Sequence, residues 1–130
     1  MIIADTDVLI DFLRNREPMA ERIALELTTS SFGTTAISEF ELRSGVRTQR
    51  EATAVEALLG ALEILSLDSA AARRAAEVRR TLESNGQGIG MADSLIAGIC
   101  LEHNGILLTR NVGHFSRVDN LAISGRIGRE

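Results

Sequence analysis

Acidic side chains stand at positions of this chain from which they could bind a divalent cation. Asp5 and Asp7 directly follow the apolar residues 2–4, which predict a short buried strand. In a parallel sheet, ligands bind at the edge formed by the carboxyl ends of the strands. Asp5 is therefore a candidate metal ligand and Asp7 a supporting group. Another interpretation stays open, in which Asp5 is a turn residue and Asp7 caps the next helix.

The middle of the chain offers two further carboxylates, Glu39 and Glu41. Because they lie two residues apart on a predicted helix, they point in different directions, and a metal site would recruit only one of them. Glu41 also has the capping-box spacing to Ser38, in which its side chain would reach back to a backbone amide. The local pattern leaves the choice between these roles open.

Asp93 lies near the start of a predicted helix, 92–103, that is strongly apolar. Such a helix must be largely buried. A buried carboxylate costs several kcal/mol unless it is paired, hydrogen-bonded or metal-bound, although a helix N-terminus lowers that cost. Asp93 is thus a second candidate ligand, with helix capping as the alternative.

Polar residues also follow the predicted strand 106–109. Asn111 has a side-chain carbonyl that could bind a hard cation or orient a water molecule, or it could simply form a turn. The two histidines have no partner ligands at zinc spacing. We therefore interpret His103 as a helix-end residue and His114 as a loop residue, and expect neither to be a general base.

The elements that must position these residues follow an α/β pattern of short apolar strands separated by amphipathic helices. This pattern predicts a central parallel sheet of four to five strands covered by helices on both faces. The strands are expected at 2–4, 32–35, 64–67, 106–109 and 121–124, and the helices at 7–13, 19–27, 36–46, 50–62, 70–83 and 92–103. We find no linker or repeat, so residues 1–130 are expected to form one domain.

Composition excludes several classes of protein. The single cysteine, Cys100, can form neither an intrachain disulfide nor a thiolate metal site, and the acidic, interrupted N-terminal segment is neither a signal peptide nor a membrane span. We therefore expect a cytoplasmic protein that does not bind membranes. The net charge of -4 argues against binding nucleic acid, but a metal bound by clustered carboxylates reverses the local sign.

Three segments, IIADTDVLIDFL, AISEFELRSGV and IGMADSLIAGICLEHNGILLTRNVGHF, resemble in sequence and order the PIN-domain nucleases, in particular the VapC toxin ribonucleases of type II toxin–antitoxin pairs. The resemblance implies that Asp5, Glu41 and Asp93 are the catalytic, metal-binding acids. It also places Asn111 at a fourth position where many members carry Asp. The site would then be one charge poorer, which leaves open whether it holds one ion or two.

The resemblance further implies a three-layer α/β/α fold with strand order 3-2-1-4-5, a homodimer, and a cognate VapB-type antitoxin that alone contacts operator DNA. The substrate would be tRNA, rRNA or mRNA. All-oxygen ligands favour Mg²⁺ or Mn²⁺, which would activate water and stabilise charge on the scissile phosphate. Thr6, Asp7, Thr109 and Asn111 would support the ligands, and Arg43, Arg47 and Arg110 would contact phosphates of the RNA.

Two other functions remain as alternatives. A PIN-like fold could be a non-catalytic binding module within a DNA-bound toxin–antitoxin complex. Alternatively, Asp5 and Asp7 have the spacing of the nucleophile loop in haloacid-dehalogenase-like phosphatases. Those enzymes need a downstream Lys and a later acidic pair, and this chain contains no Lys at all.

Overall fold

The computed structural model of the protein describes residues 1–29 and 31–125. Its centre is a five-stranded sheet in which every neighbouring pair of strands is parallel. The order β3-β2-β1-β4-β5 confirms the expected 3-2-1-4-5. The strands are β1 (Ile2–Ala4), β2 (Phe32–Thr35), β3 (Glu63–Leu65), β4 (Ile106–Leu108) and β5 (Ala122–Ser124).

Helices connect the strands. Across the described residues they are α1 (Thr6–Leu13), α2 (Met19–Glu26), α3 (Ala36–Ser44), α4 (Gln49–Gly60), α5 (Ser69–Ser84), α6 (Met91–Glu102) and α7 (Val112–Phe115). The sequence predicted the first six, but it treated the short α7 as a loop. None of the described helices is long and apolar enough to span a membrane.

Alternating residues of the central strands build two separate hydrophobic layers. Ile3 and Leu107 belong to one cluster, together with residues of α5 and α6. Ala4 and Leu108 belong to the other, together with residues of α1, α2, α3 and α4. Because successive side chains of a strand point to opposite faces, helices cover both faces of the sheet. The predicted three-layer α/β/α architecture is confirmed.

The carboxyl ends of β1, β2 and β4 lie at one edge of this sheet, because all three strands run in the same direction. Helices α1 and α3 start directly after β1 and β2, and α7 follows β4 after a short loop. The polar residues at these junctions are thereby brought to a common edge, where α/β sheets place their sites.

Candidate active site

Asp5 joins β1 to α1 and is 6% exposed. Its Oδ1 accepts the Thr6 backbone N–H at 2.8 Å, and its Oδ2 accepts the Thr109 hydroxyl at 2.7 Å. Asp5 is therefore the N-cap of α1, and the alternative in which Asp7 caps this helix is wrong. Each of its carboxylate oxygens has one donor, which leaves lone pairs for a further ligand.

The surroundings of Asp5 disfavour its ionised form. Burial, followed by the negative charge of Asp7 and a smaller effect of Asp93, raises the pKa of Asp5 to about 7, against the hydrogen bonds from Thr109 and Thr6. Desolvation and like charges both stabilise the neutral acid. A cation beside this carboxyl would reverse that preference, so the electrostatics suit a metal ligand.

Glu41 is directed towards the start of α1, where the Thr6 hydroxyl donates to its Oε1 at 2.5 Å. Helix α3 is instead capped by Thr35, whose hydroxyl accepts the Ser38 backbone N–H at 3.1 Å. The capping box between Ser38 and Glu41 is therefore wrong. Glu39 points elsewhere and pairs with Arg43, so the tertiary structure brings Glu41, not Glu39, towards Asp5.

Asp93 lies in the first turn of α6, but the N-cap position belongs to Gly90 and carries no side-chain cap. The capping role for Asp93 is therefore wrong. Its Oδ2 lies 3.3 Å from Asn111 Nδ2 and 3.1 Å from His114 Nδ1. Its side chain is 24% exposed, so the carboxylate can still be reached from solvent.

A chain of hydrogen bonds joins these carboxylates. The Asn111 backbone N–H donates to the Thr109 hydroxyl oxygen at 2.9 Å, and Thr109 donates in turn to Asp5. Thr6 continues the chain from Asp5 to Glu41. Side chains from α1, α3, α6 and the segment after β4 therefore form one network at the sheet edge.

The residues fit a hard divalent cation with water completing its coordination. Among the described residues, no three Asp, Glu, His or Cys side chains stand close enough to ligate one ion together, so a ready-made three-carboxylate cage is not formed. Mg²⁺ is usually bound through one or two carboxylates and several waters. Asp5 and Asp93 are the two carboxylates expected in that role, and the charge of Asp93 contributes to the raised pKa of Asp5. The roles of Asp5, Glu41 and Asp93 as ligands stay predictions.

Asp7 supports the segment after β4. Its Oδ2 accepts the Arg110 backbone N–H at 3.1 Å. Its Oδ1 is buried and has no hydrogen-bond partner in the part of the chain that the structure describes. Burial raises the pKa of Asp7, and the Arg110 N–H and charge oppose that rise. Asp7 thus adds negative charge next to Asp5 while fixing the loop that carries Thr109.

Two further contacts at this edge of the sheet were not predicted from the sequence. Asp11, with a 7% exposed side chain, pairs with Arg110 at 2.6 Å, and His114 contacts Asp93. An acid inside the apolar run VLIDFL was a usable signal for Asp11. His114 lies three residues after Asn111, the spacing of one helix face, but the helix itself was not foreseen.

The three arginines expected to contact phosphate differ in their surroundings. The guanidinium of Arg110 is paired with Asp11, and that of Arg43 is paired with Glu39 and Glu56. These two carboxylates raise the pKa of Arg43 above its usual range. Arg47 is exposed. A phosphate contact by Arg43 or Arg110 would therefore have to compete with an existing ion pair.

Comparison with known proteins identifies the family to which this chain belongs. The sequence profile of the PIN domain matches residues 2–121. This chain belongs to the PIN-domain family. Ribonuclease VapC19 of Mycobacterium tuberculosis is 32% identical over 123 residues, which cover 93% of this chain and 97% of that protein. The tRNA(fMet)-specific endonuclease VapC of Shigella flexneri is 26% identical over 121 residues, covering 90% and 91%. The VapC-type resemblance is confirmed.

Solved structures agree with the fold of this PIN domain. The DNA-bound VapBC of Salmonella typhimurium superposes with a TM-score of 0.83 at 26% identity, covering 95% of this chain and 96% of the other. VapBC-1 of nontypeable Haemophilus influenzae gives 0.79 at 26% identity, covering 95% and 97%. Both structures are named VapBC, and the match extends over nearly the whole of each chain.

Proposed function

We propose that this PIN domain is a Mg²⁺- or Mn²⁺-dependent endoribonuclease that acts as the toxin of a VapBC-type pair. The observation that carries the proposal is the hydrogen-bonded network that joins Glu41, Asp5 and Asp93 at the carboxyl edge of the sheet. Proteins named VapC ribonucleases resemble the chain over almost its full length. The family supplies the reaction class, and the network supplies the residues that would perform it.

Asp5 and Asp93 would bind the cation, with Glu41 as a further ligand or as a group that orients the attacking water. When bound, the metal activates water and stabilises charge on the scissile phosphate. Thr109 and the Thr6 backbone N–H hold the two oxygens of Asp5 in place. The Thr6 hydroxyl fixes Glu41, whose carboxylate would accept a proton from the attacking water.

The substrate and partners follow from the relatives. We propose that the substrate is RNA, whether tRNA, rRNA or mRNA, that a VapB-type antitoxin inhibits the protein, and that operator DNA is contacted only through this antitoxin. We further propose a homodimer acting in the cytoplasm, with residues 1–130 as one PIN domain. Complexes named VapBC and bound to DNA are among the structures that match, which supports the antitoxin assignment.

The two alternatives lack a favouring observation. A non-catalytic binding module would have no need for a buried, hydrogen-bonded carboxylate such as Asp5 at the site edge, because its burial has an electrostatic cost. A phosphatase of the aspartyl-phosphate type would use Asp5 as nucleophile and needs a lysine that the chain does not contain. Neither alternative is favoured by the comparisons.

The test is cleavage of an RNA panel by the purified full chain with Mg²⁺, with Mn²⁺ and with EDTA. We expect metal-dependent cleavage that Asp5→Asn and Asp93→Asn each abolish without unfolding the protein. Glu41→Gln should impair cleavage strongly. Glu39→Gln is the matched control, since Glu39 lies on the same helix but pairs with Arg43. Equal metal-dependent activity in folded Asp5→Asn protein would contradict the assignment.

A generic phosphomonoester assayed in parallel separates the phosphatase alternative. Hydrolysis of that compound without RNA cleavage would favour the phosphatase. Absence of both activities, together with tight binding of the antitoxin to operator DNA in the presence of this protein, would favour the binding module.

A further inference from the structure

One oxygen of Asp93 is the meeting point of two nitrogen atoms. Asn111 Nδ2 lies 3.3 Å from Asp93 Oδ2, and His114 Nδ1 lies 3.1 Å from the same oxygen. The two nitrogens are themselves 3.1 Å apart. The three side chains therefore form a triangle around Oδ2, and Oδ1 has no described partner within it.

The chemistry of the triangle assigns its protons. An ionised carboxylate only accepts hydrogen bonds, and the amide nitrogen of Asn111 only donates. If His114 Nδ1 lacked a proton, it could accept from Asn111 Nδ2, but its lone pair would also face the lone pairs of the charged Asp93 Oδ2. With the proton on Nδ1, both nitrogens donate to the charged oxygen, which is the stronger arrangement. We assign the Nδ1–H tautomer to His114 on this geometry.

Backbone contacts of the short helix α7 hold Asn111 and His114 in place. Phe115, which follows His114, is completely buried in the core, and its backbone N–H donates to the Asn111 carbonyl at 3.3 Å. The Asn111 N–H is fixed at the other side by Thr109. Asn111 and His114 are thus anchored both to the core and to the residue that holds Asp5, so their placement against Asp93 is set by the fold.

We propose that Asn111 and His114 are positioning residues that hold Asp93 through Oδ2 and leave Oδ1 to bind the cation as a one-oxygen ligand. The inference rests on the proposed metal site. Asn111, which the resemblance to PIN nucleases places at a fourth acidic position, then serves this chain as a hydrogen-bond donor. Groups that form hydrogen bonds to a metal ligand affect metal affinity without contacting the metal.

The first test is calorimetric titration of the full chain with Mn²⁺. His114→Ala should weaken Mn²⁺ binding by about 10- to 100-fold, the usual effect of losing such a supporting group. His114→Asn keeps a donor near the place of Nδ1 and should restore binding to within about threefold of the unaltered protein. His103→Ala, at the end of α6, is the matched control and should leave binding unchanged. Thermal unfolding verifies that each variant is folded.

The second test is the imidazole ¹⁵N spectrum of the metal-free protein. The chain has only two histidines, so His103→Ala assigns both sets of signals. We expect His114 in the Nδ1–H form, and we expect Asp93→Ala to shift it towards the Nε2–H form while His103 stays unchanged. A merely structural role for His114 would not couple its tautomer to Asp93.

The outcomes separate the two proposals. If the unaltered chain binds Mn²⁺ and folded His114→Ala binds it equally well, the positioning role is wrong while the metal site stands. An Nε2–H form of His114 in the unaltered protein also overturns the positioning role. If the unaltered chain binds no Mn²⁺, the proposed metal-dependent function fails, and this inference fails with it.

Discussion

Arg110 Nε lies 2.6 Å from Asp11 Oδ2, although the two residues are 99 positions apart in the chain. The same arginine donates its backbone N–H to Asp7. Helix α1 therefore holds the segment after β4 at two points, one by an ion pair and one by a backbone hydrogen bond. This segment carries Thr109, which contacts Asp5. The Arg110–Asp11 ion pair therefore fixes the position of Thr109 relative to helix α1.

Removing either partner of this pair should have unequal effects on stability. The Asp11 side chain is 7% exposed and that of Arg110 is 50% exposed. Arg110→Ala leaves a buried carboxylate without its cation and should cost about 3 kcal/mol of unfolding free energy. Asp11→Asn leaves an arginine that can reach water and should cost about 1 kcal/mol. Urea unfolding of the metal-free proteins measures both, with exposed Arg50→Ala as the control. Equal losses would contradict the buried-carboxylate argument.

The raised pKa of Asp5 predicts that Asp5→Asn stabilises the metal-free protein, by an amount that depends on pH. The pKa rises from 3.8 to about 7, so the folded state binds this proton more tightly than the unfolded chain. Tighter proton binding by Asp5 stabilises the folded protein. This stabilisation is fully present below pH 3.8 and is lost as pH rises to about 7. Asn cannot ionise, so at about pH 8 the variant should be more stable by about 2 kcal/mol, an advantage that disappears in acid.

Thermal unfolding in EDTA across this pH range measures the effect, with Glu39→Gln as the control. Mg²⁺ should raise the melting temperature of the unaltered protein and leave Asp5→Asn unaffected, because only a ligand bound by the folded state stabilises it. A variant less stable than the unaltered protein at every pH would contradict the assigned cause.

Thr6 provides a test of how Glu41 is oriented. Thr6→Val keeps the side-chain shape but removes the hydroxyl that donates to Glu41 Oε1. We expect the kcat/KM of RNA cleavage to fall by about 10-fold, as for other groups that orient a metal-site residue. Thr6→Ser keeps the hydroxyl and should retain activity. Equal activity of folded Thr6→Val and Thr6→Ser would show that this hydrogen bond does not orient Glu41.

Close packing of α5 against α6 predicts opposite effects of two glycine substitutions. A Cβ at Gly98 would lie 2.6 Å from Ala75 Cβ and 2.7 Å from the Ala71 carbonyl oxygen, whereas a Cβ at Gly60 meets nothing within 4 Å. Gly98→Ala should lower the unfolding free energy by about 1–3 kcal/mol through overpacking. Gly60→Ala should raise it by up to about 1 kcal/mol through helix propensity. Thermal or urea unfolding measures both, and a stabilising Gly98→Ala would contradict the packing.

The sequence by itself determined the alternation of strands and helices and the placement of Asp5 at a strand end. These features depend on residues close in the chain, since burial periodicity and turn chemistry act over a few positions. Its resemblance to PIN nucleases also gave the strand order and selected Glu41. The local pattern alone could not separate Glu41 from Glu39, because both stand on the same predicted helix.

Only the tertiary structure decided which side chains meet. Asp11 pairs with Arg110, and Asp93 contacts His114, although the residues of each pair lie far apart in sequence. A hydrogen bond requires its two atoms at about 3 Å, a distance set by strand order, by helix packing and by the short helix α7. Local propensity contains no information on that distance. The sequence could therefore indicate which acids belong to the site, but it could not indicate which residues contact them.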